Sequence, residues 1–145
     1  MLIMSNFGER LSELISDNEV SIQNFANSLG VTIQAVYRWK TNKKDINLST
    51  LFKIASYFNC SLEFLAGRTE DDIKINYKKR PSLFSDCIRA VMKEKNISTY
   101  ALRKQTRFNN KYFQVWKNGA DPKLSTLIEL ADYFNCTLDH LVGLE

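Results

Sequence analysis

The residues of this chain best suited to covalent or metal chemistry are Cys60, Cys87, Cys136 and His140. Thiolates and imidazole bind zinc or carry nucleophilic steps only when their spacing lets them converge. The three cysteines form no close pair, and their odd number argues against a disulfide framework or a thiolate zinc site. His140 is the sole histidine and has no thiol or acid cluster beside it. No catalytic constellation, no metal site and no cofactor is expected, so an enzyme is not the expected reading. What remains is charge: 20 basic against 16 acidic residues give a net +4, and a pI near 9.0 suits a polyanion partner without requiring one.

The charge is unevenly spread, with balance over residues 1–67 and an excess of two positive charges in each of 68–81 and 82–145. Apolar residues at 44% and charged residues at 25% are ordinary for a globular protein, and no run of about 18 apolar residues is present to span a membrane. Met1-Leu2-Ile3-Met4 is too short for a signal-peptide core and lacks a basic start, so a cytoplasmic protein is expected.

The elements that position these side chains come from a duplication. The string LSTLFKIASYFNCSLEFLAG, Leu48 to Gly67, returns as LSTLIELADYFNCTLDHLVG, Leu124 to Gly143, with 12 of 20 positions identical. Upstream, Trp39 answers Trp116, Phe25 answers Leu102, and Val20-Ser21 answers Ile97-Ser98, with one residue lost after the tryptophan. A long period found only twice argues for duplicated globular units, because stacked solenoids need about three or more repeats. Each unit is roughly 65 residues, which allows a small core. The expected organisation is a first domain over 1–67, a charged linker over 68–81, and a second domain over 82–145. Cys60 and Cys136 take equivalent places and are read as core residues under the last helix of each copy. His140, answering Phe64, is read as a partly buried packing residue.

Helical periodicity recurs in both copies. Phe7, Leu11, Leu14 and Ile15 open the first, and Leu83, Phe84, Cys87, Ile88 and Val91 open the second. Ser21 and Ser98 stand where N-caps of a short second helix belong, ending near Gly30 or Arg107. Thr32 and Asn109 cap a third, whose pairs Val36 with Trp39 and Phe113 with Trp116 share one face. Asn42 and Gly119 tolerate the left-handed turn that follows. Leu51, Ile54, Ala55 and Phe58, matched by Leu127, Leu130, Ala131 and Phe134, build a fourth helix with Ser49 or Ser125 as its cap. Ser61 and Thr137 cap a fifth. Sustained alternation is absent, so the fold class is all-α.

Helices two and three, joined by Leu29-Gly30-Val31, have the length and turn chemistry of a helix-turn-helix. Gly30 supplies a positive φ and Ala26 is small enough for close helix approach. Through FANSLGVTIQAVYRWK followed by LSTLFKIASYFNCSLEFLAG, the chain resembles the Cro and lambda-repressor family of helix-turn-helix domains, in two tandem five-helix copies spanning about 120 of the 145 residues. That resemblance implies double-stranded DNA as partner, with the third helix in the major groove and the second crossing the backbone. Carried over by position, it makes Thr32, Ile33, Gln34, Ala35 and Arg38 the exposed base-reading set of the first copy, with Val36 and Trp39 inward. Gln34 suits adenine, Ile33 or Ala35 a thymine methyl, and Arg38 guanine or a phosphate. Asn109, Asn110, Lys111 and Gln114 are the base-reading set of the second copy, alongside Tyr112 and Val115, so the two copies should read different half-sites. Phosphate contacts are implied for Ser21, Gln23, Tyr37, Lys40, Lys43 and Lys44, and for Ser98, Thr99, Lys117, Asn118 and Lys123. Tyr37 is read as partly packed, with its hydroxyl near phosphate.

The chain departs from the family pattern at four positions. Ile22 and Thr99 stand where the family often has a phosphate-binding glutamine. In the second copy Arg103 replaces the close-packing alanine and Arg107 the turn glycine, a cost of about 1 kcal/mol or more if a left-handed residue is needed there. The second copy is therefore the more degenerate, although Arg103, Lys104 and Arg107 make its second helix basic. Adjacent half-sites lie about 34 Å apart, and 14 extended linker residues reach roughly 46 Å at ~3.3 Å each. One chain could thus bind both. The expected function is a transcriptional regulator repressing by promoter occlusion. The alternative is an antitoxin- or immunity-type interaction module whose second copy grips a protein or makes a homodimer.

Overall fold

Hydroxyl and amide side chains start the helices. Ser21 and Ser98 hold extended backbone, and their Oγ atoms accept from the Asn24 and Ala101 amides at 3.1 and 3.0 Å. Thr32 Oγ1 accepts from Ala35 at 3.1 Å, Asn109 Oδ1 from Lys111 at 3.0 Å, and Ser61 and Thr137 cap the same way. Each such cap satisfies one of the donors that a helix start leaves orphaned. A computed structural model describes residues 5–72 and 83–144. The first unit contains α1 (Ser5–Asp17), α2 (Ile22–Leu29), α3 (Ile33–Lys40), α4 (Leu48–Phe58) and α5 (Leu62–Leu65). The second contains α6 (Phe84–Lys95), α7 (Thr99–Gln105), α8 (Asn110–Lys117), α9 (Leu124–Phe134) and α10 (Leu138–Leu141). The described residues hold no strand, and none of their helices is long and apolar enough to cross a membrane. The all-α class and the five-helix plan per copy are what the periodicity predicts.

In the first unit α1 packs on α3 and α5, and α2 on α3 and α4. Phe7, Leu11, Phe25, Val36, Leu51, Ile54, Leu62 and Leu65 are fully buried. Phe25 stacks on Phe58 with centroids 5.5 Å apart and meets Tyr57 edge-on at 5.3 Å, tying α2 to α4. Gly8 lets α1 close on the end of α3: a Cβ there would lie 2.5 Å from the Lys40 carbonyl, and the Gly8 amide donates to Asn42 Oδ1 at 3.1 Å. In the second unit α6 packs on α8 and α10. Trp116 is ringed by Phe84, Phe108, Phe113 and Tyr112 at 5.1 to 5.8 Å. Phe108 is buried although no periodicity marked it.

Several expectations need correction. The fourth helix starts at Leu48, with Asn47 in the cap position and no side-chain cap bond, so Ser49 lies inside its first turn. Ser125 likewise lies inside α9. The buried Leu48 and Leu124 draw the chain into the core one residue earlier than a serine cap would. His140 does more than pack, because its Nε2 lies 2.6 Å from Glu94 Oε2. Cys60 is buried as expected, whereas Cys136 is only half-buried. Of the segment expected as linker, residues 73–81 lie outside the described residues, and its first residues are fastened to the first unit. Arg10, 6% exposed, donates to the Phe64 and Thr69 carbonyls at 2.6 and 3.2 Å and to Glu70 at 2.9 Å, with its guanidinium 4.0 Å from the Phe64 ring centre. The Met1 to Met4 reading also falls outside the described residues.

Candidate nucleic-acid interface

In the first unit α2 ends on Gly30, left-handed at φ 71°, whose amide bonds back to Ala26 and Asn27. Val31 donates to the Ala26 carbonyl at 3.0 Å, and Thr32 then caps α3. Three residues thus turn the chain between two short helices. The second unit makes the same turn differently. Its α7 stops at Gln105, and Thr106 is extended at φ −135°, with its Oγ1 donating to the Leu102 carbonyl at 2.7 Å and accepting from the Phe108 amide at 3.1 Å. Arg107 is not left-handed, so the expected strain does not arise. Its guanidinium grips both Glu129 oxygens at 2.9 and 3.0 Å, bonds the Tyr112 hydroxyl, and lies 4.6 Å over Phe108. The hydrogen bonds to Glu129 hold its pKa above the ordinary arginine value. Arg107 is therefore spent on the fold and adds no uncompensated charge to the surface.

Both turns should lose stability when their residue is exchanged for the other copy's kind, for different reasons. Gly30→Ala should destabilise the first unit by about 1–2 kcal/mol through φ alone, since nothing lies within 4 Å of the added methyl. Arg107→Gly should bring no relief and should cost up to about 1 kcal/mol, the range for a half-exposed ion pair. Urea denaturation of the two variants checks both signs.

Because successive helical residues rotate by about 100°, burying Val36 and Trp39 dictates what α3 presents outward. Gln34 lies at the centre of the outer face, with Tyr37 and Arg38 on its flanks, and all three are exposed. Thr32 is also exposed, though its oxygen is engaged as the cap. Ile33 and Ala35, expected to be exposed, are half-buried. Ala35 falls on the shoulder beside Trp39, and Ile33 on the side nearer Val36. Tyr37 is 51% exposed rather than packed, with Lys40 Nζ 5.5 Å from its ring centre.

On α8 the same geometry puts Lys111 at the centre with Gln114 and Val115 beside it, all exposed. Tyr112 is half-buried under Arg107, while Phe113 and Trp116 are buried. Asn110 is exposed, and Asn109 is exposed with its oxygen engaged as the cap. Among the expected phosphate ligands, Ser21, Gln23, Lys43, Lys44, Ser98, Thr99, Lys117, Asn118 and Lys123 are exposed and Lys40 is half-buried. The Gln23 amide donates to Asn27 at 3.1 Å, an internal use.

Thr99, Asn110, Gln114 and Lys117 come together around one open groove of about 430 Å³, joined by Phe113 and by Arg89 of α6. Arg89 was not singled out in the sequence. The signal available was its place on the polar side of the opening helix, next to the buried Ile88. Such a pattern marks any solvated arginine equally.

The family model for the Cro/C1-type HTH DNA-binding domain matches residues 10–71 and again 88–145. A curated relative from Haemophilus influenzae, described as an uncharacterized HTH-type transcriptional regulator, is 35% identical over 81 residues. The aligned part covers 55% of this chain and 34% of the relative, so the chain spans about a third of the length of that protein.

Proposed function

The chain belongs to the Cro/C1-type helix-turn-helix DNA-binding domain family, with two such domains in tandem, and from that premise we propose that it is a sequence-specific regulator of transcription. Its partner is double-stranded DNA, and α3 and α8 each enter a major groove. The observation that carries this reading is the outer face of α3: Gln34 between Tyr37 and Arg38, stiffened from behind by Val36 and Trp39.

Gln34 reads adenine and Arg38 reads guanine or a neighbouring phosphate. Ile33, half-exposed, supplies apolar contact to a thymine methyl, and Ala35 a smaller share of it. Thr32 and Asn109, whose oxygens cap their helices, keep the Thr32 hydroxyl and the Asn109 amide NH2 as donors and position the helix more than they read. Lys111 is the central reader of α8. Ser21, Gln23, Tyr37, Lys40, Lys43 and Lys44 hold the backbone for the first domain, and Ser98, Thr99, Lys117, Asn118 and Lys123 for the second. The domains are 1–67 and 82–145, with 68–81 between them, and the protein works in the cytoplasm as a repressor that occludes a promoter.

The interaction-module reading had its sequence support in the turn at Arg107. With that turn closed by Thr106 and no left-handed residue, the second domain is read as a DNA binder too. A reporter gene tests occlusion. With the bound site overlapping the core promoter, expression should fall on producing the protein; with the site moved well upstream it should not. Equal repression from both placements would contradict occlusion.

A further inference from the structure

The groove between α6, α7 and α8 has a composition that the first domain lacks. Arg89, Thr99, Asn110, Gln114 and Lys117 are exposed around it, each able to donate hydrogen bonds, and none carries negative charge. Neither Arg89 nor Lys117 is ion-paired among the described residues. Seventy-seven positions earlier, the first copy holds Ser12, Ile22, Ile33, Tyr37 and Lys40 in their places. Those positions hold one cation and two isoleucines; the Lys40 ammonium lies 5.5 Å from the Tyr37 ring centre, and the Ser12 hydroxyl donates to the Gly8 carbonyl at 3.0 Å.

We propose that this groove is a seat for the DNA backbone, holding one or two adjacent phosphates, with Arg89 of α6 as a phosphate ligand of the second domain. Arg89 and Lys117 supply the charge, and Thr99, Asn110 and Gln114 the directed hydrogen bonds. Arg89 stands in for the phosphate-binding side chain missing at Thr99. The copy that looked degenerate in sequence thus gains a phosphate contact, and with it a salt-dependent, sequence-independent contribution to affinity. The proposal rests on the DNA-binding reading and adds Arg89 and its groove to it.

The test uses the full-length chain on several unrelated duplexes, with affinity measured by fluorescence anisotropy across a range of salt. Neutralising one phosphate contact lowers the slope of log affinity against log salt by about 0.9. Arg89→Ala with Lys117→Ala should lower it by about 0.9–1.8 and weaken every duplex by a similar factor. Arg89→Lys with Lys117→Arg should keep the slope, and circular dichroism of all variants should match the parent. An unchanged slope in the Arg89/Lys117 alanine variant, with duplex still bound, would overturn the groove alone. So would a loss confined to one sequence, which would make the groove a base reader. Failure of the parent chain to bind any duplex would overturn the DNA-binding reading and this proposal together.

Discussion

Replacing Gln34 and Arg38 together by alanine should cost the protein at least about fivefold in discrimination between its preferred duplex and an unrelated one, and up to about ten-thousandfold if both read bases. Each well-formed bidentate contact to a base contributes about 1–3 kcal/mol of discrimination, and every 1.4 kcal/mol is about tenfold in affinity. Both side chains are exposed on the one face of α3 that the buried Val36 and Trp39 leave outward. Their removal creates no cavity, and alanine is at least as good a helix former. Affinity for unrelated DNA should fall little, by the one phosphate contact that Arg38 could make. Competition binding against specific and nonspecific duplexes separates the terms. An equal fall on both sequences would place these residues on the backbone instead of the bases.

Phe25→Ala should unfold the first domain while sparing the second. Phe25 is fully buried, and its ring joins Phe58 and Tyr57 of α4 to the helix that precedes the recognition helix. Truncating a buried phenylalanine costs about 3–5 kcal/mol. A domain of roughly 65 residues has only about 3–10 kcal/mol to lose at 0.05–0.15 kcal/mol per residue. In circular dichroism the variant should lose on the order of half the helical signal, and the remainder should melt as one transition. Binding to the first half-site should disappear with it. Retention of the full helical signal would contradict the predicted unfolding of the first domain.

Much of this architecture was legible in the residues because short-range chemistry decides it. Ser21, Thr32, Ser61, Ser98, Asn109 and Thr137 announce helix starts through a hydrogen bond spanning two or three residues, and all six are caps in the structure. The pairs Val36 with Trp39 and Phe113 with Trp116 are buried because a spacing of three keeps them on one face. What escaped is decided by tertiary contact. Ser49 and Ser125 are good cap residues overruled by a preceding leucine that the core buries. Arg107 reads as a misplaced residue in a glycine turn until Thr106 and Glu129 are in view, and Glu129 lies 22 residues further along the chain. Gly8 has no turn signal; its need for a missing side chain comes from the end of α3. Arg89 is one exposed arginine among many until the fold sets it beside Thr99, Asn110, Gln114 and Lys117.

The most direct test of the central claim, that both domains read duplex DNA in sequence-specific fashion, is selection of the full-length chain against a pool of randomised duplexes at physiological salt. The bound fraction should yield a motif of two unlike half-sites about one helical turn apart, because Gln34 and Arg38 present different chemistry from Lys111 and Val115. Recovery of a pool with no enriched sequence would contradict that claim.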